Sequence, residues 1–542
     1  MICAKLKDQS GVALLIAMSL ALVISSMALA VVAVSISEKG ITQNERAASQ
    51  SLYRADAAIE VAKQQMATFS QAKMESLRGV WPGTGAIITD PTHFFPSTGL
   101  AFEDDDLHLS VATTFTFVDS QLVSTSQTFN FHYRSVAQGT GVLGGEKNVI
   151  SEGNLRLSAS RGSFADFLIF TDIHLMPDGS QIWFYTSGHF DGRVHSNDKL
   201  RFAQFPTFED LVTSVNQKAS YYNNGHTRDL DADRNGNIDV PNFYGGFHRG
   251  VSRIDLPSNS FSQERAALGL SAVDTTAVPL ATRRLMLGLD PSDPNPVPNG
   301  IYVPHSGSVV NGGIYIQGNA TNFRLSLNAA GYQQYQMTDQ NGITKRIVLD
   351  KVHSRTKVYT GTTDSVFYAG LPRGIAYTTG SISNLGGGAR VGGNPPAAVE
   401  EDTKLTIAAT GDITVDRDIT YEQYDGSQSV LGLYSSAGNV RIATTAPSNL
   451  LMDAYVIATG AHGVFEVDNY DHGSYRGQVH LRGGCVQRYY GAFGTFDAHG
   501  NQTGYGRDFR YDRRGMAPPY YPLTSVFRVD APEPHPSSWR EA

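Results

Sequence analysis

The sequence predicts an α+β protein in which a long N-terminal transmembrane and amphipathic helix precedes a large, mainly β body. Three observations carry this expectation. No charged residue occurs from Gln9 to Ser37, and a helix needs only about 20 apolar residues to cross a bilayer. Past this stretch, apolar residues recur at helical spacing as far as Met66. Beyond residue 100 they alternate in short runs broken by Gly, Asn and Asp, the pattern of strands and turns.

Composition supports the same class. The 542 residues are 41% hydrophobic and 10% aromatic, with 54 glycines and 25 tyrosines, which excludes a disordered chain and favours strands and turns. That length exceeds what one core usually serves, so an anchor and several folded regions are expected. The net charge of -8, with no basic stripe interleaved with aromatics, argues against nucleic acid as a partner. The two cysteines are Cys3 and Cys485, and Cys485 is expected to be a lone buried thiol.

The N-terminal element begins with Lys5, Lys7, Asp8 and Gly11, a short leader that stays cytoplasmic under the positive-inside rule and sends the body outward. The apolar stretch Val12–Ser35 follows. The helical pattern then continues outside the bilayer, where Ala48, Leu52, Ala55, Ile59, Ala62 and Met66 form one stripe and charged residues fill the other faces. Small residues on such a stripe suit close packing in a filament core, and packing against the protein's own body needs the same pattern. A plain signal anchor on a surface protein is the simpler alternative.

The body divides by composition. We expect a leader at 1–11, the helix at 12–80, a β head at 81–160, and an insert poor in regular structure at 161–300. A β-rich region at 301–530 and a flexible tail at 531–542 complete the chain. In the head, Leu107–Val111, Thr114–Val118, Thr128–Val136 and Asn154–Ser158 alternate, as in an antiparallel, β-sandwich-like sheet lying on the outer half of the helix. In 301–530 the apolar runs fit a β-solenoid or an antiparallel sandwich. The solenoid is preferred, although no repeat of fixed period can be written. The Pro/Glu/His/Ser-rich end from Ala531 reads as a frayed tail.

The strongest local motif is Asp231, Asp233, Asn235, Gly236, Asn237 and Asp239. Oxygen ligands at two-residue steps before a glycine match the first half of an EF-hand loop, and calcium is the expected cofactor. Asn242 stands where the closing glutamate belongs, and Pro241 precedes it. A metal-free Asx-turn loop is the alternative. His174, His189 and His195 lie near Asp172, Asp191 and Asp198 in the chain but match no zinc spacing, so hydrogen bonding at turns and strand ends is expected of them. No nucleophile elbow, Walker loop or dinucleotide fingerprint occurs in a strand-to-helix context.

Lys5, Lys7 and Gly11, followed by Val12-Ala-Leu-Leu-Ile-Ala-Met-Ser-Leu-Ala-Leu-Val, resemble a class III signal peptide, and Leu52-Tyr-Arg-Ala-Asp-Ala-Ala-Ile-Glu60 resembles the Ala-rich segment that follows it in PilX-like proteins. The resemblance covers about the first 66 residues. It implies cleavage after Gly11 by a prepilin peptidase and methylation of Val12. It also implies an inner-membrane protein whose body lies outside the cytoplasm, and a place in a cell-surface filament beside other pilins or pseudopilins and their assembly platform. Major pilins carry a glutamate where Ile16 stands, so the resemblance implies a minor subunit of a type IV pilus or type II secretion pseudopilus. Gly192–Asn197, Gly312–Tyr315 and Leu431–Leu433 resemble elements of an uncharacterised pilin-associated domain, which implies no chemistry. No catalytic residue is expected. The alternative is a membrane-tethered extracellular β-helix enzyme or adhesin acting on surface polysaccharide.

Overall fold

The computed structural model describes residues 9–76, 90–123, 126–185, 188–223, 226–230, 240–361, 364–497, 500–529 and 532–542. One long apolar helix precedes a large β-rich body, in agreement with the α+β expectation. The chain divides into two compact units, the first built from the N-terminal helix, residues 86–160 and residues 528–542, the second from residues 161–527.

In the first unit, α1 (Gln9–Ser76) runs for 68 residues. From Gly11 to Lys39 every residue is exposed, and the first buried one is Ala47. The buried stripe then follows Ser51, Ala55, Ala58, Ile59, Ala62, Met66, Ser70 and Met74. The stripe read from the sequence is correct from Ala55 onward, but its start is one residue late. Ala48 is exposed and Ala47 is buried, because four-residue steps back from Ala55 reach Ser51 and Ala47.

Four strands, β1 (Leu100–Asp104), β2 (Leu109–Val123), β3 (Ser126–Thr140) and β4 (Glu146–Ser163), pair antiparallel in chain order. Ala55, Ala58, Ile59 and Ala62 of α1 pack on Leu109, Val111, Ala137 and Val149 of this sheet. The head is therefore one sheet with the helix as its second layer, not a sandwich of two sheets. The expected tail is also structured: Glu533–Glu541 is a strand antiparallel to β4, and Trp539 Nε1 donates to Asp56 Oδ1 at 3.1 Å. Pro534 and Pro536 fit there because an outer strand leaves some N–H positions unpaired.

The second unit is built on a parallel ladder. Ile314–Gln317, Ile375–Thr378, Lys404–Ala409, Val430–Ser435, Leu450–Ala458 and Tyr475–Gln487 pair in sequence order, each parallel to the next. Between these rungs the chain crosses to a second parallel ladder formed by Ile382–Leu385, Ile413–Val415, Val440–Ile442 and Phe465–Val467. Two sheets visited alternately by one coiling chain are the arrangement of a β-solenoid. First-ladder rungs start at 375, 404, 430, 450 and 475, steps of 29, 26, 20 and 25 residues, which is why no fixed repeat can be written. Residues 161–300 are not a separate insert. Ile169–Thr171 pairs with the end of Tyr475–Gln487, and Val194–Ser196, Val212–Ser214 and Phe247–Arg249 extend the same ladder.

The space between the two sheets is filled by Ile407, Leu433, Met452, Val456 and Leu481 from one side and by Ile413, Val415, Val440, Ile442 and Phe465 from the other. The first sheet is covered on its opposite face too, where Tyr315, Tyr377, Tyr434 and Tyr455 pack with Phe167, Phe170, Ile254 and Leu268. Burial on both faces explains why Val430–Tyr434 reads as a run with no charged or polar alternation. Cys485 lies in this interior as a free thiol, and burial pushes its pKa up to about 12, so it is inert.

Candidate functional site

Gly11, Val12 and Ile16 lie near the start of α1, with Val12 and Ile16 exposed and nothing packed against Gly11. From there to Ile41 the large apolar side chains face outward. The helix contains an 18-residue window of mean hydropathy 2.5, long and apolar enough to span a membrane.

The proposed calcium ligands Asp231, Asp233, Asn235, Asn237 and Asp239 lie outside the described residues. Asp229, just before them, is engaged elsewhere, accepting from Lys199 Nζ at 2.7 Å and from Ser220 Oγ. Among the described residues, no three His, Cys, Asp or Glu side chains converge as metal ligands.

His174, His189 and His195 enter three different networks. His189 is half exposed, its Nε2 2.7 Å from Glu209 Oε1 and its Nδ1 2.8 Å from Arg510 Nη1. His174 is fully buried, stacked on Phe184, with Nδ1 3.3 Å from Thr171 Oγ1 and no partner for Nε2 among the described residues. His195 sits on the rung Val194–Ser196 and belongs to a buried polar chain. Its Nδ1 lies 2.8 Å from Thr213 Oγ1 and its Nε2 3.0 Å from Asn197 Oδ1. Since a carbonyl oxygen only accepts, Nε2 carries the proton and Nδ1 accepts from the threonine hydroxyl.

Asn197 is the centre of this chain. Its Nδ2 donates to Asp172 Oδ1 at 2.9 Å and to Ile254 O at 2.7 Å, while Oδ1 also accepts from Ile254 N at 3.0 Å. Arg253 pairs with the same Asp172 carboxylate. One amide thus uses all four of its hydrogen-bonding positions and clips the segment at Ile254 to the ladder. Gly192 opens the motif because space requires it: a Cβ there lies 2.5 Å from Tyr511 Cβ and 2.9 Å from Leu168 Cβ. The motif is therefore a structural clasp, and His195, 1% exposed, does not reach solvent.

Burial drives both interior histidines toward the neutral form. His195 falls to about 4, with the Asn197 hydrogen bond opposing the shift. His174 falls to about 3, with Arg201 and Arg507 adding to the effect of burial. Both values lie below the roughly 6.5 of an unfolded histidine. Their contribution to stability is therefore complete above pH 6.5 and declines as pH falls toward 4 and 3. We expect a loss of about 2 kcal/mol per histidine between pH 7 and pH 5, read by urea unfolding at the two pH values. His174→Phe, which keeps the stacking but cannot titrate, should show a shallower dependence. An unchanged slope excludes His174 as its source.

Residues 128–216 match a domain of unknown function, DUF4900. The matched stretch runs from β3 and β4 into the rungs Ile169–Thr171, Val194–Ser196 and Val212–Ser214, and it contains the Gly192–Asn197 clasp. No curated protein and no solved structure matches the chain.

A further site escaped the sequence reading. On the outward face of the ladder lies a cavity of about 240 Å³ lined by Asp453, His480, Arg482, Asp508 and Arg510, with Thr420 and Tyr421 beside them. These residues come from three neighbouring strands, with Asp453 opposite Arg482, His480 opposite Asp508 and Arg482 opposite Arg510. The only local signal was the alternation Val479-His-Leu-Arg482, whose apolar members point inward and whose polar members face outward.

Proposed function

We propose that the chain is a minor pilin-like, PilX-like component of a type IV pilus or type II secretion pseudopilus, acting in filament assembly or display of its large body at the tip. The observation that carries this reading is the unbroken helix α1, which is apolar and exposed over its first half and packed on an antiparallel sheet over its second. A helix built in this way can rest in a bilayer and later pass to a filament core, since both environments accept the same apolar surface. Ile16, in place of a carboxylate, suits a subunit that needs no charge partner in that core. Other pilins, the assembly platform and a prepilin peptidase are the partners this reading requires, and calcium bound at Asp231, Asp233, Asn235, Asn237 and Asp239 belongs to it as a stiffener of an exported loop.

Mass spectrometry of the mature protein from its native cell tests the proposal. The expected N-terminus is N-methylated Val12, with Gly11→Leu blocking the cut. An intact leader, or a mature chain beginning elsewhere, overturns it.

A further inference from the structure

The cavity on the outward face of the ladder is built rather than incidental. Strand alternation places His480 and Arg482 on one face of Tyr475–Gln487 while Val479 and Leu481 are buried beneath. The parallel register sets Asp453 on one side of them and Asp508 and Arg510 on the other. Each outward cation is held by a carboxylate. Arg482 Nε donates to Asp453 Oδ1 at 2.9 Å, and Arg510 Nε donates to Asp508 Oδ1 at 2.9 Å. His480 Nδ1 lies 2.8 Å from Asp508 Oδ2. Asp453 is itself fixed by the backbone N–H of Tyr421 at 2.9 Å, and the guanidinium of Arg482 lies 3.7 Å above the Tyr424 ring.

The electrostatics of the two carboxyls differ. Burial raises the pKa of Asp453, with Arg482 opposing. Burial also pushes on Asp508, but the hydrogen bond from His480 and the charge of Arg510 outweigh it and hold that group low. After these pairings, Nε2 of His480 and Nη1 of Arg482 have no hydrogen-bond partner among the described residues. The cavity therefore presents oriented donors beside carboxylate edges, already locked in place, so little side-chain ordering remains to oppose binding.

We propose that this cavity binds a neutral saccharide ring. Two aspartates against two arginines leave the lining charge-balanced, which gives a free anion or cation little net attraction. A sugar's neighbouring hydroxyls each donate and accept, and they match a surface that alternates fixed donors with fixed acceptors. Hydrolysis fits less well. Both carboxylates are already engaged, Asp453 by Arg482 and the Tyr421 N–H and Asp508 by His480 and Arg510, which leaves neither free for the acid and base or nucleophile roles that glycoside hydrolysis requires. A subsite of this size, with the Tyr424 ring face occupied by Arg482 and Arg514, should hold its ligand with a dissociation constant of about 1 mM.

The test is isothermal titration of the full chain, in a detergent without a sugar headgroup, with glucose, galactose, mannose, N-acetylglucosamine and their disaccharides, and with galacturonate and sulfate as anionic probes. The expected result is binding of at least one neutral sugar, weakened about tenfold or more by Arg482→Ala and by His480→Ala. Asp508→Asn, which preserves shape, should weaken it as well, and circular dichroism of each variant confirms that the ladder is intact. Failure of every neutral sugar to bind at 50 to 100 mM (roughly a hundredfold the expected constant) overturns the proposal. Binding of galacturonate or sulfate alone does the same, as does neutral-sugar binding that folded variants leave unchanged. None of these outcomes bears on the N-terminal processing that tests the filament reading.

Discussion

Replacing Asn197 by alanine is expected to destabilise the body by about 3–5 kcal/mol, the range for breaking a buried polar network from within. The change strands several groups at once. The N–H and C=O of Ile254 lose their shared partner, the proton on His195 Nε2 loses its acceptor, and Asp172 loses one of its donors. These groups lie in the interior, where an unmade hydrogen bond retains the full desolvation cost. Asn197→Asp is expected to be nearly as harmful. It keeps the acceptor but removes both donors, and sets a second carboxylate against Asp172. Urea unfolding followed by tyrosine fluorescence measures both variants, and a midpoint unchanged from the parent for Asn197→Ala refutes the clasp.

The clasp also shows where sequence reading stops. Gly192–Asn197 stood out as a motif, yet its partners are Asp172, Thr213 and Ile254, and nothing in the local pattern says that these meet. The helix was the legible part because each turn of α1 depends on neighbours three or four residues away, so period and composition expose it directly. The solenoid was half legible. Its apolar runs were visible, but coils that vary from 20 to 29 residues erase the repeat. The joining of Tyr475–Gln487 to Ile169–Thr171 spans some three hundred residues and leaves no trace in either segment. The strand Glu533–Glu541 reads as a tail in the sequence because two prolines and several polar residues lower its strand propensity, while its pairing to β4 is supplied from the far end of the chain. The cavity residues were invisible for the same reason, since Asp453, Arg482 and Arg510 become neighbours only when three coils stack in register.

The second large effect is expected at Gly139, where α1 rests on the head sheet. A Cβ at this position lies 2.1 Å from Ser51 O and 2.5 Å from Ala55 N, contacts with helix backbone that no side-chain rotation relieves. Gly141 meets the helix in the same way, 2.7 Å from Ala47 O. The helix and β3 thus approach more closely than side chains permit, and Ala55, Ala58 and Ala62 are small for the same reason. Gly139→Val must lift this part of α1 from the sheet, opening the contacts of Ile59 with Leu109, Val111, Ala137 and Val149. We expect a loss of at least about 3 kcal/mol, at the upper end for overpacking because backbone has to move. Gly145→Ala is the control. It has open space around its Cβ and no positive φ, and should stay within about 0.5 kcal/mol of the parent. Limited proteolysis of the full chain in detergent reads the difference, with early cleavage between residues 47 and 74 expected only for Gly139→Val. Protection equal to that of the parent means that the helix does not rest on β3 through this glycine. The same contact limits what else α1 can touch, because the sheet occupies the stripe from Ala47 to Met74 and leaves Tyr53 and the charged faces outward. In the filament proposed above, neighbouring helices would meet the exposed apolar half that precedes Ala47, so substitutions within residues 12–46 test that proposal without touching the packing of the head.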